Sequence, residues 1–192
     1  MTQPKDMIDR LPRAAFYATA AFVQIALIVV MVIDHVRVLR TGTEVKLHTR
    51  AVDPRDFLRG DYVTLGYDMS TLPAGELKGM PFQSPMVFVK LAPDEEGFYK
   101  PVSVHAQPVA VDAKELLIRG RVRSPCGPLF CDTLWLSYGI ERYFVPEGEG
   151  RTIELSRNAG KVSIVSAVTP AGRAAIKRLL VDGKPVYDEP LF

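Results

Sequence analysis

From Ala14 to Ile33 the sequence reads AAFYATAAFVQIALIVVMVI, with no charged side chain and only Tyr17, Thr19 and Gln24 as polar groups. Rising roughly 1.5 Å per residue, a helix of this length is about 30 Å long, the thickness of a bilayer's hydrocarbon core. A helix buried in a globular core rarely runs so far without a charge, so the segment reads as a membrane span. A cleaved signal peptide fits less well. The apolar run is too long for its hydrophobic region, Asp34-His35-Val36-Arg37 follows in place of a small-x-small site, and Ala18-Thr19-Ala20 lies inside the span. The expectation is an uncleaved anchor, with residues 1–13 as a cytoplasmic tail, 14–33 as the transmembrane helix, 34–43 as a juxtamembrane linker and 44–192 as an extracytoplasmic domain.

The remainder has the composition of a folded domain. Of 192 residues, 47% are hydrophobic and 24% charged, which excludes wholesale disorder. A formal net charge of +2, without a basic run interleaved with aromatics, argues against nucleic-acid binding. Lys5, Arg10 and Arg13 precede the span while Arg37, Arg40, Lys46 and Arg50 follow it, so charge bias decides little about orientation.

Cys126 and Cys131, the only cysteines, lie in the turn-rich SPCGPLFC. Oxidised, they would close a short loop worth roughly 2 kcal/mol, favouring a periplasmic domain; free thiols or redox or metal chemistry are the alternatives. His35, His48 and His105 are scattered, so neither a metal nor a cofactor is expected.

Beyond the span the pattern turns to strands. Glu44 to Arg50 alternates polar and apolar residues, and Asp61 to Tyr67 sets Val63, Leu65 and Tyr67 on one face and Tyr62, Thr64 and Gly66 on the other. Met86–Leu91, Phe98–Val104, Leu116–Arg123, Thr133–Tyr138 and Lys161–Val168 read as further strands. Leu72 to Pro85 reads as a loop or short helix, Arg151–Arg157 as a helix ended by Gly160, and Leu179–Val186 as a hairpin on Asp182-Gly183. The fold class expected is mainly β: one N-terminal transmembrane helix, then a predominantly antiparallel domain with one or two short helices.

Few polar stretches suggest chemistry. The charges from Arg50 to Asp61 alternate in sign, as in a solvated turn, and Arg59-Gly60-Asp61 alone is a weak recognition motif. Glu147 and Glu149 lack the Asp-rich pattern of a calcium loop. The run from Ala51-Val52-Asp53-Pro54 to Gly60-Asp61-Tyr62-Val63 resembles the serine region of bacterial signal peptidases, and Lys90 imitates their base. Ala51 occupies the nucleophile's place, however, and Thr49 lies two residues away on the wrong phase of an alternating strand.

Gly60-Asp61-Tyr62-Val63-Thr64-Leu65-Gly66-Tyr67 resembles, letter for letter, the motif that names the GDYXXLXY family of membrane-anchored bacterial proteins. The preceding Asp53–Arg59 and the later Tyr138-Gly139-Ile140-Glu141-Arg142-Tyr143-Phe144-Val145-Pro146-Glu147-Gly148-Glu149-Gly150 are similar to the family too. The resemblance covers roughly residues 14–168 and implies an anchor and an extracytoplasmic domain, with no catalytic residues to carry over. It singles out Gly60, Asp61, Tyr62, Leu65, Tyr67, Tyr138, Gly139, Glu141, Pro146, Glu147, Gly148 and Gly150 as signature positions. The two segments are expected to pack as neighbours, with Asp61 or Glu141 meeting an arginine or main-chain donors.

The function expected is binding or assembly rather than catalysis. The chain would be a single-pass protein of the bacterial inner membrane, an accessory subunit contacting lipid and other membrane proteins. The alanine-rich face of the span, Ala14, Ala15, Ala18, Ala20 and Ala21, would permit close helix approach. The alternative is an envelope hydrolase drawing its nucleophile from Ser103, Ser124, Ser137 or a cysteine.

Overall fold

The structure, a computed structural model, describes residues 13–50, 62–73, 84–123, 133–146 and 149–189. The chain divides into two compact units, Met1–Arg37 and Val38–Phe192.

Helix α1 runs without a break over Arg13–Thr41, so the span and the juxtamembrane stretch form one element. Its apolar residues from Ala15 onward are long and hydrophobic enough to cross a bilayer, and Phe16, Phe22, Ile25, Leu27 and Met31 are all exposed. Lipid would solvate such a row, as the length and composition of the helix suggest.

The second unit begins in the last turn of α1, where Val38 and Leu39 are buried with Ala175. Gly42 then turns the chain, its N–H donating to the Val38 carbonyl at 3.0 Å. A Cβ on Gly42 would stand 2.7 Å from that oxygen and 2.8 Å from the Val168 nitrogen, so only glycine permits this approach.

The domain is mainly antiparallel β, as expected. Its strands are β1 (Thr43–Arg50), β2 (Tyr62–Thr64), β3 (Gly66–Tyr67), β4 (Thr71–Pro73), β5 (Met86–Pro93), β6 (Tyr99–His105), β7 (Leu116–Val122), β8 (Thr133–Ser137), β9 (Arg142–Phe144), β10 (Val162–Val168), β11 (Ala174–Val181) and β12 (Lys184–Asp188), with a 3-10 turn at Asp68–Ser70 and helix α2 at Gly150–Asn158. One sheet has the order β12-β11-β10-β1-β3, a second β4-β8-β7-β5-β6, and β2 and β9 form a separate ribbon. The side chains between them make one core, including Leu47, Leu65, Tyr67, Val89, Ile118, Leu134, Ile140 and Ile164.

Sequence pattern explains most of this. β1 alternates exposed and buried positions, so Val45, Leu47 and Thr49 face inward. Every residue of β10 is buried, because it lies between β1 and β11, and its small serines and alanine fit there. Asp182 and Gly183 both take positive φ, the conformation a type I′ hairpin demands.

Three expectations need correction. Asp61–Tyr67 is not one strand, because pairing breaks at Leu65: β2 joins β9, whereas β3 joins β1. Leu72 and Pro73, read as the start of a loop or short helix, belong to β4, which pairs with β8. The last hairpin starts at Ala174, earlier than Leu179, because β11 pairs along the length of β10.

Candidate functional site

The two signature segments meet in the ribbon. Tyr62 lies opposite Phe144, Val63 opposite Tyr143 and Thr64 opposite Arg142. Where the ribbon ends, the Leu65 N–H donates to the Glu141 carbonyl at 2.8 Å. Tyr67 is 1% exposed, and its phenol donates to the Ile140 carbonyl. Tyr138 reaches the other way, its phenol donating to the Met69 carbonyl at 2.6 Å. Burial first, and then the Glu141 charge, push both phenols well above their ordinary pKa. At Tyr143, burial and the charges of Glu189 and Asp188 push the phenol up to about 12.

Glu141 spends its carboxylate on the main chain. One oxygen accepts from the Tyr138 N–H, the other from the Gly139 N–H at 3.0 Å. These bonds hold the turn in which Gly139 has φ +83°, a conformation that favours glycine. Of the two partners expected for Glu141, the main-chain donors are the ones it meets here.

The arginine that enters the seam is Arg157, which sequence reasoning missed. It projects from α2, is fully buried, and donates from Nη1 to the Thr64 carbonyl and from Nε and Nη2 to the Asn158 side chain. Burial lowers its pKa, an effect opposed by the Glu154 charge. The available signal was spacing: Arg157 follows the buried Ile153 by one helical turn and shares its face.

Beside this seam lies a cleft of 290 Å³ lined by Met86, Arg119, Arg121, Arg123, Ser137, Tyr138, Gly139 and Glu141. Arg119 and Arg121 alternate along β7 and Arg123 follows just past its end, all three exposed, while Ile118 and Gly120 turn inward. Arg123 Nε donates to Ser137 Oγ at 2.9 Å. The Arg119 N–H donates to the Gly172 carbonyl at 2.7 Å, fixing the strand where β8 no longer pairs with it.

The sequence profile described as GDYXXLXY protein matches residues 24–179, most of the chain. The chain belongs to the GDYXXLXY family. No curated protein and no solved structure matches it.

Of the GDYXXLXY signature positions, Tyr62, Leu65, Tyr67, Tyr138, Gly139 and Glu141 are brought together by the ribbon and its flanking turns. Pro146 is exposed beyond β9, and Gly150 is the first residue of α2. Gly60, Asp61, Glu147 and Gly148 lie outside the described residues, as do Ala51, Ser124, Cys126 and Cys131.

Two further features bear on what a GDYXXLXY domain does. On β6, Ser103 Oγ lies 2.8 Å from His105 Nε2. Lys90, opposite Ser103 on β5, is tied to Glu115 at 2.5 Å. Among the described residues no group of His, Cys, Asp and Glu is placed to hold a metal.

On α1, a shallow groove is lined by Phe16, Thr19, Ala20, Val23, Gln24 and Leu27. Thr19 donates to the Ala15 carbonyl at 2.9 Å. Gln24 is exposed, and its amide has no partner among the described residues.

Proposed function

We propose that this GDYXXLXY protein is a membrane-anchored binding and assembly protein, an accessory subunit of an inner-membrane complex whose β domain lies in the periplasm. Gln24 carries the reading. An amide in the apolar run finds no water in hydrocarbon, and its two donors and its acceptor are best met by another membrane helix. Ala20 beside it leaves room for close approach, and Phe16, Val23 and Leu27 offer apolar contact on the same face. The Tyr67, Tyr138 and Glu141 side chains of the signature are bonded to main-chain groups, which supports a structural rather than a catalytic role for them.

The test is gentle detergent extraction of the tagged full chain, followed by identification of what co-purifies. A defined partner lost on Gln24→Leu supports the reading, and a monomer without partners contradicts it. Protease treatment of intact spheroplasts tests orientation: digestion of the β domain is expected, and protection would place it in the cytoplasm.

A second reading, an envelope hydrolase, is favoured by the Ser103–His105 contact, the geometry of a nucleophile beside a base. Against it, the neighbouring Lys90 is committed to Glu115. Labelling by a serine-directed probe, abolished by Ser103→Ala, would establish this reading over the first.

A further inference from the structure

We propose that the cleft between β7 and the Tyr138-Gly139 turn binds a phosphate monoester through Arg119, Arg121 and Arg123. Alternate residues of a strand lie roughly 7 Å apart, so the three side chains leave the sheet close enough for their guanidinium groups to converge on one small anion. Glu141, the carboxylate lining the cleft, has an N–H bonded to each oxygen, and three arginine charges outnumber its one. Arg119 and Arg121 make no side-chain hydrogen bond or ion pair among the described residues. Elsewhere in the domain Lys177 and Arg178 pair with Glu44, Lys100 with Asp94 and Lys90 with Glu115.

The ligand class follows from these donors. A guanidinium presents a planar fork that matches two oxygens at once, and several forks around one point favour an anion with more than two oxygens and more than one charge. A phosphate monoester meets both conditions, whereas a single carboxylate meets neither. Ser137 adds a hydroxyl, and Met86 gives the cleft an apolar wall. The phosphate's source is either a soluble phosphorylated compound or the headgroup of a membrane lipid. The site stands whether or not α1 docks onto another membrane protein.

Trp135, the chain's sole tryptophan, provides the readout. It is half exposed on β8, and its carbonyl accepts from the Arg123 N–H at 2.8 Å. The full chain, held in phosphatidylcholine nanodiscs, is titrated with inorganic phosphate and with glycerol 3-phosphate while Trp135 fluorescence is followed. A saturable change is expected, weakened at least tenfold by Arg121→Gln and by Arg121→Lys, which keeps the charge but loses the fork, and unaffected by Lys184→Gln. Circular dichroism verifies that each variant is folded. The titration is then repeated in discs containing phosphatidic acid. Loss of apparent affinity there assigns the site to lipid headgroups, and unchanged affinity assigns it to a soluble ligand. No saturable response in phosphatidylcholine discs, or folded Arg121 variants that bind like the parent, would overturn the proposal.

Discussion

Glu141 folds back on Gly139, its carboxylate accepting that residue's N–H at 3.0 Å while the other oxygen takes the N–H of Tyr138. This contact turns the chain between β8 and β9, and so delivers the Ile140 carbonyl to Tyr67 and the Glu141 carbonyl to Leu65. An acid in a cleft lined by arginines invites a catalytic assignment, yet its first partners are its own turn.

Replacing that carboxylate is expected to destabilise the domain. Glu141→Ala leaves two N–H groups without acceptors, costing about 2–3 kcal/mol, and Glu141→Gln, which keeps one acceptor, costs roughly half as much. Urea unfolding of the full chain in detergent measures both, and equal losses for the two variants would contradict the bonding described.

Gly42 sets the junction between α1 and β1. Gly42→Ala would push a methyl carbon against the Val38 oxygen of α1 and the Val168 nitrogen of β10, main-chain atoms that yield only if those elements shift. The expected cost is about 2–3 kcal/mol, in the range of overpacked cores. Thermal unfolding checks it, with far-UV circular dichroism expected to retain the helical signal of α1.

Much of this architecture was legible in the sequence because its signals are local. The uncharged run of α1, the alternation of β1 and the Asp182-Gly183 hairpin each follow from a few adjacent residues. The break at Leu65 was not legible, since it depends on an acceptor at Glu141, far along the chain. Strands β4 and β9 are three residues long, too short for a period to register. The arginines of β7 look in sequence like the solvated face of a strand. Only the placement of the Tyr138-Gly139 turn against that face makes a cleft.

Acid should weaken the domain. The Lys177 hydrogen bond, helped by Arg178, lowers the pKa of Glu44; Lys100 does the same for Asp94, and the Asp112 N–H followed by Lys90 for Glu115. A carboxylate with a depressed folded pKa contributes stability that is complete above its unfolded value and lost as pH falls through the folded one. The loss should therefore begin near the ordinary values, 4.5 for glutamate and 3.8 for aspartate, and deepen below them. Urea midpoints between about pH 6 and about pH 3 measure it. Glu44→Gln should flatten the profile.

The account's central claim is that the GDYXXLXY signature is a structural seam, and Tyr67→Phe tests it most directly. The substitution removes one buried hydroxyl and strands the Ile140 carbonyl, at a cost of about 1–2 kcal/mol. For a domain of this size that is a fall of roughly 2–8 °C in Tm. The measurement is the Tm of the full chain in detergent, paired with identification of the proteins that co-purify. The account predicts a lowered Tm with co-purifying partners unchanged; an unchanged Tm with partners lost would show that Tyr67 belongs to a binding surface, and would contradict it.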